Sequence, residues 1–237
     1  FIGFHVAKRY LDKGLKVHGL DSMNNYYDVN LKKSRLKILK KYKNFSFSKN
    51  NIENQKDLSR SILKFKPNII IHLAAQAGVR YSLKNPKIYL NSNIIGTFNV
   101  MELAKKVNVK HLIIGSSSSV YGANKKLPFK EIDKTDHPIS FYAATKKSSE
   151  NLAHSYSSLW GLPVTLLRFF TVYGPWGRPD MAYYKFTKKI LNGKKIDIYN
   201  KGKMYRDFTY IDDIVDGIYK LTNKAPKLNQ TKKFKND

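Results

Sequence analysis

Tyr142 and Lys146 stand four residues apart in Phe141–Leu159, a stretch whose apolar residues recur at helical spacing. Residues four apart on a helix share a face, so phenol and ammonium point the same way. A free tyrosine, with a pKa of about 10, is a poor base at neutral pH. A neighbouring cation stabilises the phenolate and makes it a usable proton acceptor. Upstream, Gly115-Ser116-Ser117-Ser118-Ser119-Val120-Tyr121-Gly122 follows a buried apolar run and offers hydroxyls that both donate and accept. Tyr-x-x-x-Lys arises by chance in a chain with 16 tyrosines, and a serine run is ordinarily a loop. Together, one at a strand tip and the other on the helix that follows, they point to proton transfer at a substrate hydroxyl.

Two other strand tips carry polar or small residues. Gly19-Leu20-Asp21 ends an apolar run with a carboxylate. At the end of a dinucleotide-binding strand such a group accepts from ribose hydroxyls and favours NAD over its 2′-phosphorylated form. The plainer reading is a turn or cap residue. The glycine fingerprint expected upstream is represented only by its last part, Phe1-Ile2-Gly3, and Gly3 reads equally as a helix-start glycine. His72-Leu73-Ala74-Ala75-Gln76-Ala77-Gly78 is either a surface for a flat ligand or a tight turn.

The elements that must position these residues alternate. Leu15–Leu20, Ile69–Leu73, His111–Ser116 and Val164–Phe169 read as short buried strands. Phe4–Lys13, Leu31–Tyr42, Lys56–Phe65, Pro86–Val107 and Phe141–Leu159 read as helices. This alternation predicts an α/β fold, a Rossmann-like doubly wound parallel sheet with ligands beyond the carboxyl ends of its strands. The expected organisation is a cofactor-binding domain over 1–170, a partial substrate region over 171–223 and a loose polar tail over 224–237. Truncation is expected at both ends.

Among the 237 residues the net charge is +27, which could signal a nucleic-acid binder. The excess is mostly lysine spread along the chain, and arginine, the better bidentate reader of phosphate, is scarce. A lysine-rich composition is the preferred reading. No apolar run approaches the roughly 18 residues of a membrane span. Without cysteine there is no disulfide or thiolate metal site, and no metal is expected. No signal peptide is read at the N-terminus, and a cytoplasmic location is expected.

The chain resembles the extended short-chain dehydrogenase/reductases that act on nucleotide sugars, and within them the UDP-glucuronate 4-epimerases. The resemblance runs from Gly3 to about Leu221. It is carried by Asp21-Ser22-Met23-Asn24-Asn25-Tyr26-Tyr27-Asp28, by Ala75-Gln76-Ala77-Gly78-Val79-Arg80-Tyr81-Ser82, by Ser92-Asn93-Ile94-Ile95-Gly96-Thr97, by 136–146 with its Tyr142-Ala143-Ala144-Thr145-Lys146, and by 168–181.

The resemblance implies NAD as cofactor, a UDP-sugar as substrate and a homodimer built on the helices 86–107 and 141–159. It implies that Tyr142 is the acid/base, assisted by Lys146, Ser117 and Ser119. Gly3, Asp21, Asn25, Asn51, Ile52, Leu73, Ala74, Ala75, Gln76 and Asn93 would hold the cofactor, with Tyr142 and Lys146. Asn51 departs from the family's usual aspartate. Arg80, Ser118, Thr171, Arg178 and Arg206 would hold the substrate. Arg206 would grip the pyrophosphate, or else form an ion pair with Asp207 or Asp212. Arg178 would meet a uronate carboxylate with Thr171, or else be a solvated loop residue. Ser119 stands where related dehydratases and decarboxylases carry an acid, which favours an epimerase. The other readings are a UDP-glucose 4-epimerase, a related dehydratase or decarboxylase, an inactive fragment, and last a nucleic-acid-binding module.

Overall fold

The computed structural model describes residues 1–203 and 205–227; the expected tail from residue 228 on lies outside the described residues. The chain packs as two compact units. One comprises residues 1–19, 23–47 and 170–219; the other comprises 20–22, 48–169 and the residues from Lys220.

In the second unit β3 (Ile69–His72), β4 (His111–Gly115) and β5 (Val164–Leu167) form a parallel sheet in that order. Ile69 aligns with His111, and Leu112 with Val164. Parallel neighbours need crossovers, and helices supply them. Before β3 comes α3 (Gln55–Phe65); between β3 and β4 lie α4 (Val79–Lys84), α5 (Pro86–Tyr89) and α6 (Gly96–Lys106); α7 (Phe141–Trp160) leads into β5. Every residue of the middle strand β4 is buried. Around it Leu58, Ile62, Val100, Met101, Leu112, Ile114, Ala153 and Tyr156 form the core.

The helix bounds follow local chemistry. Ser140 caps α7 by accepting from the Ala143 N–H at 3.1 Å, and Gly161, left-handed at φ 66°, ends it. The single helix expected over 86–107 is instead α5 and α6 joined by a π-helical stretch, Leu90–Ile95. Gly96 follows that stretch, where a Cβ would lie 2.5 Å from the Ile52 side chain. Any larger residue there would displace Ile52 from the core.

In the first unit α1 (Ile2–Asp12) and α2 (Val29–Leu39) close a small core of Phe4, Leu11 and Leu39. Two short parallel strands follow, β6 (Thr171–Tyr173) and β7 (Phe208–Tyr210), with α8 (Ala182–Leu191) between them. The strand β1 (Val17–Asp21) pairs with β2 (Phe45–Lys49), and α9 (Ile211–Thr222) closes the described chain. The strands β2, β6 and β7 were not expected. Among the described residues the seven strands form three hydrogen-bonded groups, not one continuous sheet.

Candidate active site

Beyond β4 the serine run turns at once into a short 3-10 helix, Ser118–Tyr121. Ser117 caps it, its buried hydroxyl accepting from the Ser119 N–H at 3.2 Å, while Ser118 and Ser119 are half-buried. Gly122 ends the turn at φ 53°, where a Cβ would lie 2.0 Å from the His137 carbonyl oxygen, so only glycine fits. Tyr142, half-buried in the first turn of α7, donates its N–H to Ser82 Oγ at 3.2 Å. Its ring meets Tyr89 edge-on, centroids 6.0 Å apart. Tyr89 in turn donates its hydroxyl to the carbonyls of Ala77 and Gly78, tying the loop after β3 to this ring.

One turn on, Lys146 is only 5% exposed. Burial pushes its ammonium down to about 8, against the opposing charge of Glu150. That keeps about nine-tenths of it charged at pH 7. His72, at the end of β3, is buried and donates or accepts at Thr97 Oγ1 over 3.0 Å. Burial first, and the Lys146 charge second, hold its imidazole neutral, with a pKa of about 3.

Asn93 lies in the π-helical stretch and is fully buried. Its Oδ1 accepts from the Gln76 N–H at 2.8 Å; its Nδ2 donates to the Gln76 carbonyl and to Thr145 Oγ1, each at 3.0 Å. The π-helix, a device frequent at functional sites, thus ties the tip of β3 to the residue beside Lys146. Asn93→Ala would strand the Gln76 N–H in the interior, and a loss of about 2–3 kcal/mol is expected. Urea unfolding at constant m measures it; a loss under about 0.5 kcal/mol would show that the bridge carries nothing.

For a dinucleotide the donor set fits. A cleft of about 220 Å³, lined by Ser22, Lys49, Asn50, Asn51, Asn54 and Asp57, opens where β1 and β2 end. Asp21 is exposed at that end of β1, and Asn50 donates its N–H to the Asp21 carbonyl at 3.2 Å. The exposed Asn51 amide has no partner among the described residues, whereas Asn50 and Asn54 are tied to α3. Ile52, expected beside Asn51 at the adenine, packs its side chain into the core. Leu73, Ala74 and Ala75 follow β3; Gly115 leaves 3.1 Å between a would-be Cβ and Leu73. Such small, polar-edged strand tips let a flat ligand approach backbone.

The remaining expected residues lie in the first unit or apart from these partners. Gly3 and Asn25 are exposed, as is Arg80. Thr171 opens β6 and donates its N–H to the Asp207 carbonyl at 3.2 Å. Arg178 is no solvated loop residue: its Nε and Nη2 donate to Asp180 Oδ1 and Oδ2 at 3.0 and 2.5 Å. The Tyr26 hydroxyl also donates to Asp180, at 3.3 Å. Arg35, buried on α2, donates to the carbonyls of Trp176 and Gly177, just before Arg178. Arg206, by contrast, is exposed and has no carboxylate partner among the described residues.

The network that sequence reasoning missed is Ser116, Glu150 and Arg168. Glu150 is 5% exposed and accepts from Ser116 Oγ at 2.6 Å and from Arg168 Nε and Nη2, both at 2.9 Å. Its signal was present as the next i, i+4 step after Lys146.

The model of the NAD dependent epimerase/dehydratase family matches residues 1–234. The chain belongs to this family. Among curated relatives of this family member, the probable UDP-glucuronate 4-epimerase of Rhizobium meliloti is 55% identical over 226 residues. That match covers 95% of this chain and 66% of the relative. The UDP-glucuronic acid 4-epimerase of Bacillus cereus, solved with UDP-glucuronic acid and NAD, superposes with a TM-score of 0.86 at 35% identity. It covers 92% of this chain and 69% of that one. A UDP-glucose 4-epimerase from Thermotoga maritima, with UDP-glucose, gives 0.81 at 32% identity, covering 91% and 68%. The chain thus spans about two thirds of the length of these relatives.

Proposed function

We propose that the protein interconverts UDP-glucuronate and UDP-galacturonate by NAD-dependent 4-epimerisation. The observation that carries this reading is the pair on α7: a tyrosine one turn before a buried, largely charged lysine, on the helix that follows the serine turn of β4. Tyr142 as phenolate takes the proton from the C4 hydroxyl, and Lys146 keeps that phenolate accessible near neutral pH. Bound NAD supplies the acceptor that takes the C4 hydride and returns it. Ser117 and Ser119 orient the reacting oxygen. The 4-keto sugar turns over while its nucleotide stays anchored, so that the returning hydride would meet the opposite face of C4 as Tyr142 returns the proton to the C4 oxygen. Arg206, without a carboxylate partner among the described residues, suits the pyrophosphate. Asp21, Asn51, Leu73, Ala74, Ala75, Gln76 and Asn93 are assigned to the cofactor, and Arg80, Ser118, Thr171 and Arg178 to the sugar nucleotide.

The test is turnover of UDP-glucuronate and UDP-glucose side by side by the protein from its complete reading frame, with products read by NMR. UDP-galacturonate formed without net NADH production supports the proposal. Turnover of UDP-glucose alone would retain the Tyr142–Lys146 chemistry and overturn the uronate assignment.

The protein is proposed to work as a homodimer. The helices 86–107 and 141–159 expose Leu90, Ile95, Phe98 and Leu159, an apolar surface that a second copy would bury. Light scattering is expected to give a dimer, and Phe98→Glu a monomer; a monomeric wild type would overturn this. No described helix is long and apolar enough to cross a membrane.

A further inference from the structure

We propose that Glu150 is a positioning residue for the Tyr142–Lys146 pair: a buried carboxylate, fixed by Ser116 and Arg168, that keeps the Lys146 ammonium charged. The inference rests on the reading of Tyr142 and Lys146 as the proton-transfer pair.

Positions 142, 146 and 150 step along one face of α7 at i, i+4 and i+8. Glu150 sits at the inner end of that ladder. Ser116 is the first residue beyond β4, so the hydroxyl that donates to Glu150 over 2.6 Å begins the serine run itself. Arg168, just beyond β5, closes a two-pronged pair on both carboxylate oxygens. Its Nη1 donates to the Glu131 carbonyl at 3.2 Å, and its guanidinium lies 5.0 Å from the centroid of the Tyr121 ring. The carboxylate is therefore held from the ends of two neighbouring strands and cannot swing away.

A buried ion pair is a poor device for stability alone, because apolar residues of similar volume do as well or better. What an apolar pair cannot do is place a negative charge near Lys146. The carboxylate, one turn beyond Lys146, opposes the burial that would neutralise the ammonium. His72 on β3, which feels the Lys146 charge, is kept neutral by burial, and Tyr142 lies one turn away on the same helix. Glu150 is the negative charge that acts on the Lys146 ammonium.

The test reads Lys146 directly, without substrate. In protein carrying lysine labelled with carbon-13 at Cε, the Lys146 resonance is assigned by its loss in Lys146→Met and titrated by NMR. Glu150→Gln keeps the shape and an acceptor for Ser116 but removes the charge, and its Lys146 midpoint is expected to fall by about one unit. The upper pH limit of kcat is expected to fall with it. Glu150→Asp, which keeps the charge, is expected to restore most of the shift; a purely structural role would leave both variants alike. If Glu150→Gln does not fold, Glu150→Leu combined with Arg168→Met replaces the pair with apolar volume, and the same fall is expected. An unmoved midpoint in either folded, charge-free variant overturns the proposal. Because no sugar nucleotide is needed, a shifted midpoint stands even if UDP-glucuronate is not turned over. An unmoved midpoint in an active epimerase sinks only this inference.

Discussion

Tyr142→Phe is expected to lower kcat for UDP-glucuronate by about 10³-fold, with KM changed less than about threefold. The substitution removes one oxygen and keeps everything that places the ring. The Tyr142 N–H still bonds Ser82, and the edge-on packing against Tyr89 is unaltered. What disappears is the proposed acceptor for the C4 hydroxyl proton, an interaction needed only as hydride leaves carbon. Such a loss falls on kcat and leaves ground-state binding alone. The wild-type pH profile should carry the same signature. Lys146, held near 8 by burial, loses its charge as pH rises through that value, and the phenolate loses its partner. Activity is therefore expected to decline on the alkaline side of about pH 8, and Tyr142→Phe should show no such limb. Single-turnover measurement of transient NADH absorbance separates the chemical step from product release. A kcat within tenfold of wild type would remove Tyr142 from the proton path.

Much of this machinery was legible because it sits where strong local patterns meet. The runs Ile69–Ile71 and Leu112–Ile114 both read as buried strands; both are strands, but only the second is fully buried, and Ile69–Ile71 are half-buried. Tyr142 and Lys146 were found from helical periodicity, which the structure realises over twenty residues. The strand β2 escaped notice because Phe45-Ser46-Phe47-Ser48-Lys49 is short and half polar, flanked by Asn44 and Asn50. The π-helical stretch escaped because Leu90–Ile95 has the composition of an ordinary helix; the widened turn is stabilised by Asn93 reaching the distant Gln76 and Thr145. Glu150 and Arg168 show the same limit. Each reads as a surface charge until the fold brings them together. Arg178 illustrates the converse: sequence offered a choice between carboxylate site and solvated loop. The structure gives it a carboxylate, but the one it holds belongs to Asp180.

Arg178→Ala is expected to raise KM for UDP-glucuronate by roughly 30- to 100-fold, from the loss of a charge-assisted bond to the uronate. UDP-glucose, which has no carboxylate, should change by less than about threefold. A pentose product is expected beside the epimer. The 4-keto uronate is a β-keto acid, and it loses carbon dioxide when the electrons of the C5–C6 bond flow into the C4 carbonyl. That bond must stand across the carbonyl plane to break, so a fork holding the carboxylate near the plane suppresses the loss. Asp180 supplies a rival explanation. Burial pushes its carboxyl up, but Arg178, a backbone N–H and the Tyr26 hydroxyl together outweigh burial and hold it below the usual range. Removing the arginine alone strands a half-buried negative charge near its former partner, which could repel the uronate by itself. The double variant Arg178→Ala with Asp180→Ala decides between the two. If a stranded carboxylate causes the defect, the double variant recovers uronate KM and the pentose disappears. If the fork itself binds the uronate, both defects persist with no negative charge left to blame.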